Sequence, residues 1–288
     1  MIMIRQKSFS EQSVASLYVV ATPIGNLSEL TPRAIEILKM ADVIAAEDTR
    51  NTMKLLSHFD IHTKCIAHHL FNESNSADGI IEMLKDNKNI AIVSDAGYPL
   101  ISDPGQYLVE KVVENGFSVI PISGANAMLN ALVASGLCSM KFYFNGFLSS
   151  KDSQAKKELM KIKDLDCTTI FYESPHRIKR SLEIMLEIFG DRKVCLAREI
   201  TKKFEEFIRG NISEIIDDID NLKGEMVIVV EKSLVVKEIN YDLIIDEIRK
   251  LVDQGIKPSK AIKDIAIKYE VSKNDLYDMY HDKGDLDE

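Results

Sequence analysis

Short apolar runs alternate with amphipathic stripes along most of the chain. Residues 16–22 (SLYVVAT) are apolar without a helical period, which predicts a buried strand. PIGNLSEL follows as a loop, and Thr31-Pro32 then supplies an N-cap and a first-turn proline. Ala34, Ile37, Leu38 and Ala41 share one helical face. DVIAAEDTR (42–50) reads as a short strand ending in charge. SADGIIEMLKDN predicts a helix, NIAIVS a strand, GQYLVEKVVENG a helix closed by Gly116, and FSVIPIS a strand. Strands alternating with helices imply a mostly parallel sheet.

A second α/β part begins near residue 126. KFYFNGFL, CTTIFYES, KVCLAREI and GEMVIVVE predict strands. Helices are predicted at KDSQAKKELMKIKDL and at HRIKRSLEIMLEIFG, which Gly190 closes; EEFIRGNISEIIDDI is mixed. From residue 240 the period is purely helical, with Ile244, Ile245, Ile248, Leu251 and Val252 in one stripe. The pattern breaks at Gly255 and restarts after Pro258, with Ser259 the expected N-cap; Ser272 and Asp275 have capping-box spacing. Three short helices with tight turns resemble a helix-turn-helix, which binds nucleic acid in some proteins and is a plain helical cap in others. The expected organisation is a tail at 1–13, α/β domains at 14–125 and 126–232, and a linker, helical module and acidic tail at 233–288.

Composition changes this picture little. At 288 residues, 45% hydrophobic and 28% charged, the chain suits about two domains with full cores. No apolar run nears the roughly 20 residues that span a bilayer, and the N-terminal apolar stretch is too short for a signal peptide. The expectation is therefore a cytoplasmic protein with no membrane partner. Cys65, Cys138, Cys167 and Cys195 lack C-x-x-C spacing and read as reduced packing residues. His68-His69 has no evident further ligands, so no metal is assigned. The net charge of −9 argues against broad affinity for nucleic acid. It is uneven, however: residues 151–210 carry 14 Lys/Arg against 11 Asp/Glu, and 249–273 carry 7 against 3. Local basic faces on an acidic body suit a structured anion.

The candidate chemistry lies at strand ends. Consecutive strands of the first part end in Thr22-Pro23-Ile24-Gly25-Asn26, Glu47-Asp48-Thr49-Arg50, Ser94-Asp95-Ala96-Gly97 and Pro121-Ile122-Ser123-Gly124-Ala125. Ligands of open parallel sheets bind beyond the carboxyl ends of the strands, and glycine there admits close approach to the backbone. Asp95 is positioned to bond a polar part of such a ligand. No P-loop and no G-x-G-x-x-G occurs, so triphosphate and dinucleotide sites of those kinds are not expected. In FYESPHR, Glu173, His176 and Arg177 follow a strand; Arg198, Lys202 and Lys203 follow another, as potential anion contacts.

Together LYVVATPIGNLSELTPRA, AEDTR, IVSDAGYPLISDPG, IPISGANAMLNALVASGL, FNGFL, YESPHRI, LAREITKKFEEFIRG and GEMVIVVE resemble the tetrapyrrole methylase superfamily. AEDTR and YESPHR resemble its ribosomal-RNA branch, and set the chain apart from porphyrin-precursor C-methylases and diphthine synthase. The resemblance implies two α/β domains with S-adenosylmethionine folded into the cleft between them, and a homodimer. It aligns SDAG with the family's Gly-Asp-Pro signature; Asp95 is kept, while Ser94 and Ala96 replace its neighbours. It implies cofactor contacts by Pro23, Asp95, Gly97, Ile101, Ser123, Gly124 and Ala125 from the first domain, and by Tyr172, Ala197 and Met226 from the second.

The implied reaction is 2'-O-methylation of a cytidine in the decoding region of small-subunit ribosomal RNA, with the small subunit or its 16S rRNA as partner. A ribose hydroxyl is a weak nucleophile, so the site must align it with the methyl group and offer a base. Asp48, Glu173 and His176 are the candidate bases. Arg50, Arg177 and Arg198, with Lys202 and Lys203, are candidate phosphate contacts. Two alternatives stand beside this: C-methylation of a tetrapyrrole precursor, and a non-catalytic RNA-binding protein.

Overall fold

The computed structural model of the chain describes residues 5–8, 15–69, 73–219, 222–234, 240–269 and 271–282. The expected tail at 1–13 (except 5–8), residues 235–239 of the expected linker and the end of the acidic tail at 283–288 lie outside these. Contacts divide the chain into one unit at 1–234 and another at 235–288.

The first unit holds two five-stranded sheets. Strands β1 (Ser16–Val20), β2 (Val43–Ala46), β3 (Lys64–Ala67), β4 (Ile90–Val93) and β5 (Ser118–Ile122) pair in the order β3-β2-β4-β1-β5, all parallel. Both faces are covered, so β2 and β4 are buried at every position. Helices α1 (Pro32–Met40) and α2 (Thr49–His58) pack Ala34, Leu38 and Leu56 against Val20, Ile44 and Ile122 on one face. Helices α3 (Glu73–Lys85) and α4 (Gln106–Glu114) pack Ile80, Leu84 and Leu108 against Leu17, Ala45 and Ile92 on the other. Thr31 caps α1 as expected, accepting from the Ala34 amide at 3.2 Å. The chain leaves β2 outward to β3 and leaves β4 in the opposite direction to β5. That divergence opens a crevice beyond their carboxyl ends, where Glu47 and Asp95 stand.

The second sheet has the order β6-β7-β10-β8-β9, formed by β6 (Phe142–Phe147), β7 (Thr168–Glu173), β8 (Lys193–Arg198), β9 (Glu206–Asn211) and β10 (Met226–Val230). Only β6 and β7 are parallel; β10 inserts antiparallel to both its neighbours, and β9 is antiparallel to β8. The alternation of strand and helix predicts parallel pairing and misses this. β10 is buried at all five positions, so its pattern is that of any central strand and carries no direction. On one face α6 (Asp152–Ile162), α7 (Ile178–Phe189) and α8 (Ile212–Asp218) pack Leu159, Leu182, Met185 and Ile215 against Phe171, Leu196 and Ile228. On the other face α5 (Ala127–Ser135) packs Ala131 and Leu132 against Ile170, Ala197 and Val227, and Ile24 from the loop after β1 joins the same cluster. That apolar contact fixes the first sheet's loops against the second sheet.

The pattern does not predict α2, β3, α5 or the 3-10 turn at Leu27–Glu29. α2 is mostly polar, and β3 has no fully buried residue. α5 is apolar nearly all round, so it shows no stripe. Among the cysteines, Cys195 is buried as expected, but Cys138 is exposed and packs in no core.

The second unit contains α9 (Tyr241–Asp253), α10 (Pro258–Tyr269) and α11 (Lys273–Asp282) around Ile244, Ile245, Ile248, Ile262, Ile265 and Leu276. Asn240 caps α9 by accepting from the Leu243 amide. Ser259 is not an N-cap: α10 starts at Pro258, whose fixed φ suits the first helical position. Ser272 accepts from the Asp275 amide at 3.3 Å, which is half of the expected capping box.

Candidate functional site

The loop after β4 is tied to the loop after β1. The Thr22 amide donates to the Gly97 carbonyl at 2.8 Å, and the Gly97 amide donates back at 3.1 Å. The Thr22 hydroxyl donates to the Ser94 carbonyl at 3.1 Å. Gly97 has φ 79°, the left-handed conformation that favours glycine. Beyond it Leu100 (φ 73°) and Ser102 (φ 68°) take the same conformation with side chains that disfavour it. They flank Ile101. Across from them, in the loop after β8, Glu199 (φ 50°) and Thr201 (φ 69°) are also left-handed. Strain of about 1–3 kcal/mol per residue persists only where its surroundings enforce it, and it clusters at functional sites. Here it lies on both sides of one cavity.

That cavity has a volume of about 400 Å³, within the range of pockets that enclose small molecules. Ile24, Ile101, Phe147, Ile200, Met226 and Val227 give it apolar walls, with Tyr172 among them. Its charged lining is Glu47, Asp95, Asp103, Glu173 and Glu225; among the described residues no lysine, arginine or histidine lines it. Burial, followed by the charge of Glu47, pushes the Asp103 carboxyl up to about 6; a hydrogen bond from Ser94 opposes this and Asp95 adds to it. Glu173 and Glu225 are paired with Arg177 and Lys202 outside the lining, whereas Glu47, Asp95 and Asp103 have no ion pair among the described residues; apolar walls with such carboxylates suit a ligand that joins apolar surface to positive charge. The sulfonium and ammonium groups of S-adenosylmethionine meet that requirement, so the residues present fit the cofactor.

Of the expected cofactor contacts, Asp95, Gly97, Ile101, Tyr172 and Met226 line the cavity. Pro23 lines a smaller neighbouring hollow instead. Ser123, Gly124, Ala125 and Ala197 line neither. The Ser123 carbonyl accepts from the Thr31 hydroxyl, and the Gly124 amide donates to the Tyr98 hydroxyl at 3.3 Å. A Cβ on Gly124 would stand 2.8 Å from that of Ala21, so glycine is required there for packing. Ala125 and Ala197 belong to the apolar cluster behind the cavity wall.

Of the expected catalytic groups Glu173 lines the cavity, whereas Asp48, Arg50 and His176 do not. Asp48 caps α2, accepting from the Arg50 amide at 2.8 Å and pairing with the Arg50 guanidinium at 2.7 Å. The Arg50 hydrogen bond brings its carboxyl down to about 2, which leaves little basicity. Glu173 is buried; it accepts from the Ser181 hydroxyl at 2.5 Å and the Ser174 amide at 2.8 Å, with Arg177 at 3.4 Å. His176 is exposed and does not line the cavity.

Most expected phosphate contacts are occupied within the chain. Arg177 donates to the Leu148 and Ser149 carbonyls, tethering the loop after β6. Arg198 pairs with Glu206 at 2.8 Å and donates to the Lys223 carbonyl. Lys202 pairs with Glu199 at 2.9 Å and Glu225 at 3.1 Å. Its aliphatic stem crosses Gly25, where an added Cβ would lie 2.5 Å from it. Lys202 is therefore a strut between the loops of the two sheets. Lys203 is exposed, 5.6 Å from the Phe204 ring centre. The Arg50 side chain is 86% exposed. Sequence reasoning missed Asp103 and Glu225, because beside Pro104-Gly105 and Gly224 each reads as an ordinary turn residue.

Two sheets that close a strained, acid-lined cavity at their strand ends define an enzyme of the α/β class built around a small cationic cofactor. The model of the family described as Tetrapyrrole (Corrin/Porphyrin) Methylases matches residues 16–216, and the chain belongs to this family of S-adenosylmethionine-dependent methyltransferases. The chain is 46% identical over 294 residues to a Bacillus subtilis (strain 168) protein named ribosomal RNA small subunit methyltransferase I, covering 97% of this chain and 99% of that one. A protein of the same name from Vibrio cholerae (serotype O1, strain El Tor Inaba N16961) is 48% identical over 219 residues, covering 74% and 76%. Among solved structures, the methyltransferase CobJ aligns with TM-score 0.58 at 20% identity, over 77% of this chain and 96% of that one. A diphthine synthase aligns with TM-score 0.58 at 17% identity, over 76% and 90%. At these identities the structures show the shared fold. Among the described residues no helix is long and apolar enough to cross a membrane.

Proposed function

We propose that the protein transfers a methyl group from S-adenosylmethionine to the ribose 2'-hydroxyl of a cytidine in the decoding region of small-subunit ribosomal RNA. The observation that carries this reading is the 46% identity to a protein named for ribosomal RNA methylation, extending over 97% of this chain and so into the helical unit. A cofactor cavity alone would serve any member of the family.

Asp95, Gly97, Ile101, Tyr172 and Met226 would hold the cofactor, with Glu47 and Asp103 opposing its positive charge. Bound there, S-adenosylmethionine supplies a methyl group on a positively charged sulfur, an electrophile for oxygen. A ribose hydroxyl that accepted the methyl group would have to give up its proton, and the chain must supply the acceptor. We assign that role to Asp103, which lines the cavity and whose carboxyl burial raises in the free enzyme, in place of Asp48, which Arg50 holds down at about 2. Exposed Lys203 remains available to RNA phosphates; Arg50 is exposed but paired with Asp48, and Arg177, Arg198 and Lys202 serve the enzyme's own loops.

We read residues 14–125 and 126–232 as the two domains, and place the working enzyme in the cytoplasm as a homodimer. Exposed Leu129 and Val133 on α5, and Phe142, Tyr143 and Phe147 on edge strand β6, support a second copy as partner.

The test is methyl transfer from labelled S-adenosylmethionine to small ribosomal subunits from cells lacking the protein, with nucleoside mass spectrometry. The expected product is 2'-O-methylcytidine. Absence of transfer to RNA, or a methyl found on a tetrapyrrole carbon, overturns the reading.

A further inference from the structure

On the far side of Asp95 lies the second hollow, of about 240 Å³. The loop after β1 forms one wall through Pro23, Gly25 and Leu27, and α2 forms the other through Asn51 and Lys54. Among the described residues Asp95 is the one that lines both this hollow and the cofactor cavity. The two differ in charge. The cavity has five carboxylates and no cation among the described residues; the hollow has a lysine, and Asp95 as its single acid. Among the described residues no carboxylate lies within ion-pair distance of the Lys54 ammonium, whose contact is the Asn51 side-chain oxygen at 3.5 Å. Arg50 stands one turn earlier on α2, outside the hollow and paired with Asp48, so Lys54 is the cation that the hollow presents. The Asn51 amide donates to Asp95 Oδ2 at 2.9 Å, so a side chain of the hollow fixes the carboxylate at the boundary.

We propose that this hollow seats the nucleotide that receives the methyl group, with Lys54 on its phosphate and Asn51 positioning Asp95 toward its sugar. The inference rests on the RNA-methylating reading above and names the substrate seat within that site. Its physical basis is the division of charge. A sulfonium and a phosphodiester have opposite needs, and an acid-lined cavity that meets a hollow holding a lysine at one shared residue offers a partner to each. The hollow lies just under the roughly 300 Å³ at which drug-sized sites begin, a size for one unstacked nucleotide rather than a duplex. Single-stranded RNA, whose bases can be splayed out, is the form that enters such a seat.

Two variants test this in the full-length protein. Leu27 is 42% exposed, so Leu27→Trp fills the hollow from its rim without opening the core. Lys54→Met removes the charge and keeps the stem. For both, affinity for S-adenosylmethionine measured by calorimetry stays within about twofold of wild type. Methyl transfer to small ribosomal subunits falls at least about tenfold for Leu27→Trp. For Lys54→Met the KM for subunits rises about tenfold, kcat holds, the salt dependence flattens by about one unit of slope, and Lys54→Arg restores it. Wild-type rates and salt dependence in both variants overturn the seat while leaving the RNA reading intact. No transfer to subunits by the wild-type protein overturns both.

Discussion

The two sheets bring carboxylates to the same cavity, but those carboxylates differ in how far the chain itself engages them. Acids from the first sheet's loops, Glu47, Asp95 and Asp103, face the cavity with few internal obligations. Charged groups after the second sheet's strands are engaged with one another: Glu173 with Ser181, Ser174 and Arg177, Arg198 with Glu206, and Lys202 with Glu199 and Glu225. In sequence both sets look alike, as charges at strand ends. The difference teaches that the first half supplies ligand chemistry while the second supplies the frame that holds loops in place.

The largest effect that sharpens this contrast is on stability. Glu173→Leu leaves the Ser181 hydroxyl and the Ser174 amide without their acceptor and removes the ion pair with Arg177, and costs about 2–3 kcal/mol in denaturant unfolding. An unchanged midpoint would remove Glu173 from the frame. Next comes Gly25→Ala, which puts a methyl into the Lys202 stem at a backbone φ of 137° and should weaken cofactor binding about tenfold. Equal affinity by calorimetry would show that the strut is dispensable.

Asp103 gives a smaller, pH-dependent effect. Its folded-state carboxyl is raised to about 6, so the folded chain binds more protons than the unfolded one between roughly pH 4 and 6. The associated stability is fully present below that window and is lost as pH rises through it. Asp103→Asn therefore stabilises the protein at pH 7, by on the order of 1 kcal/mol after screening, and not at pH 4. In the wild type, cofactor affinity falls below about pH 6 as the carboxyl is neutralised; the variant's weaker affinity should be flat there. A variant titration curve parallel to wild type would contradict the assignment. Smallest is Arg198→Ala, a partly exposed pair whose loss should cost under about 1 kcal/mol and leave the cofactor affinity unchanged.

Much of this was legible in the sequence. β4 is an uninterrupted apolar run, β1 is one after Ser16, and Thr31-Pro32 marks the start of α1 by capping chemistry alone. The cluster of Gly and Asp at successive strand ends located the cavity, and five of the ten expected cofactor residues line it. What stayed hidden was relational. Strand direction in the second sheet depends on where β10 inserts, and a fully buried strand does not encode that. Whether an arginine meets a phosphate or a neighbouring carbonyl depends on the fold, as Arg177 demonstrates. Asp103 was hidden because its raised basicity comes from burial and from two acids more than 50 and only 8 positions away in the chain, Glu47 and Asp95.

The central claim is that the acid-lined cavity between the sheet ends is the cofactor site. Calorimetric titration of S-adenosylmethionine into the wild type and into Ile101→Trp and Met226→Trp tests it most directly. The account predicts one cofactor per chain for the wild type, and at least about a tenfold loss of affinity when either wall is enlarged into the cavity. Wild-type affinity in both variants, each shown to be folded, would contradict it.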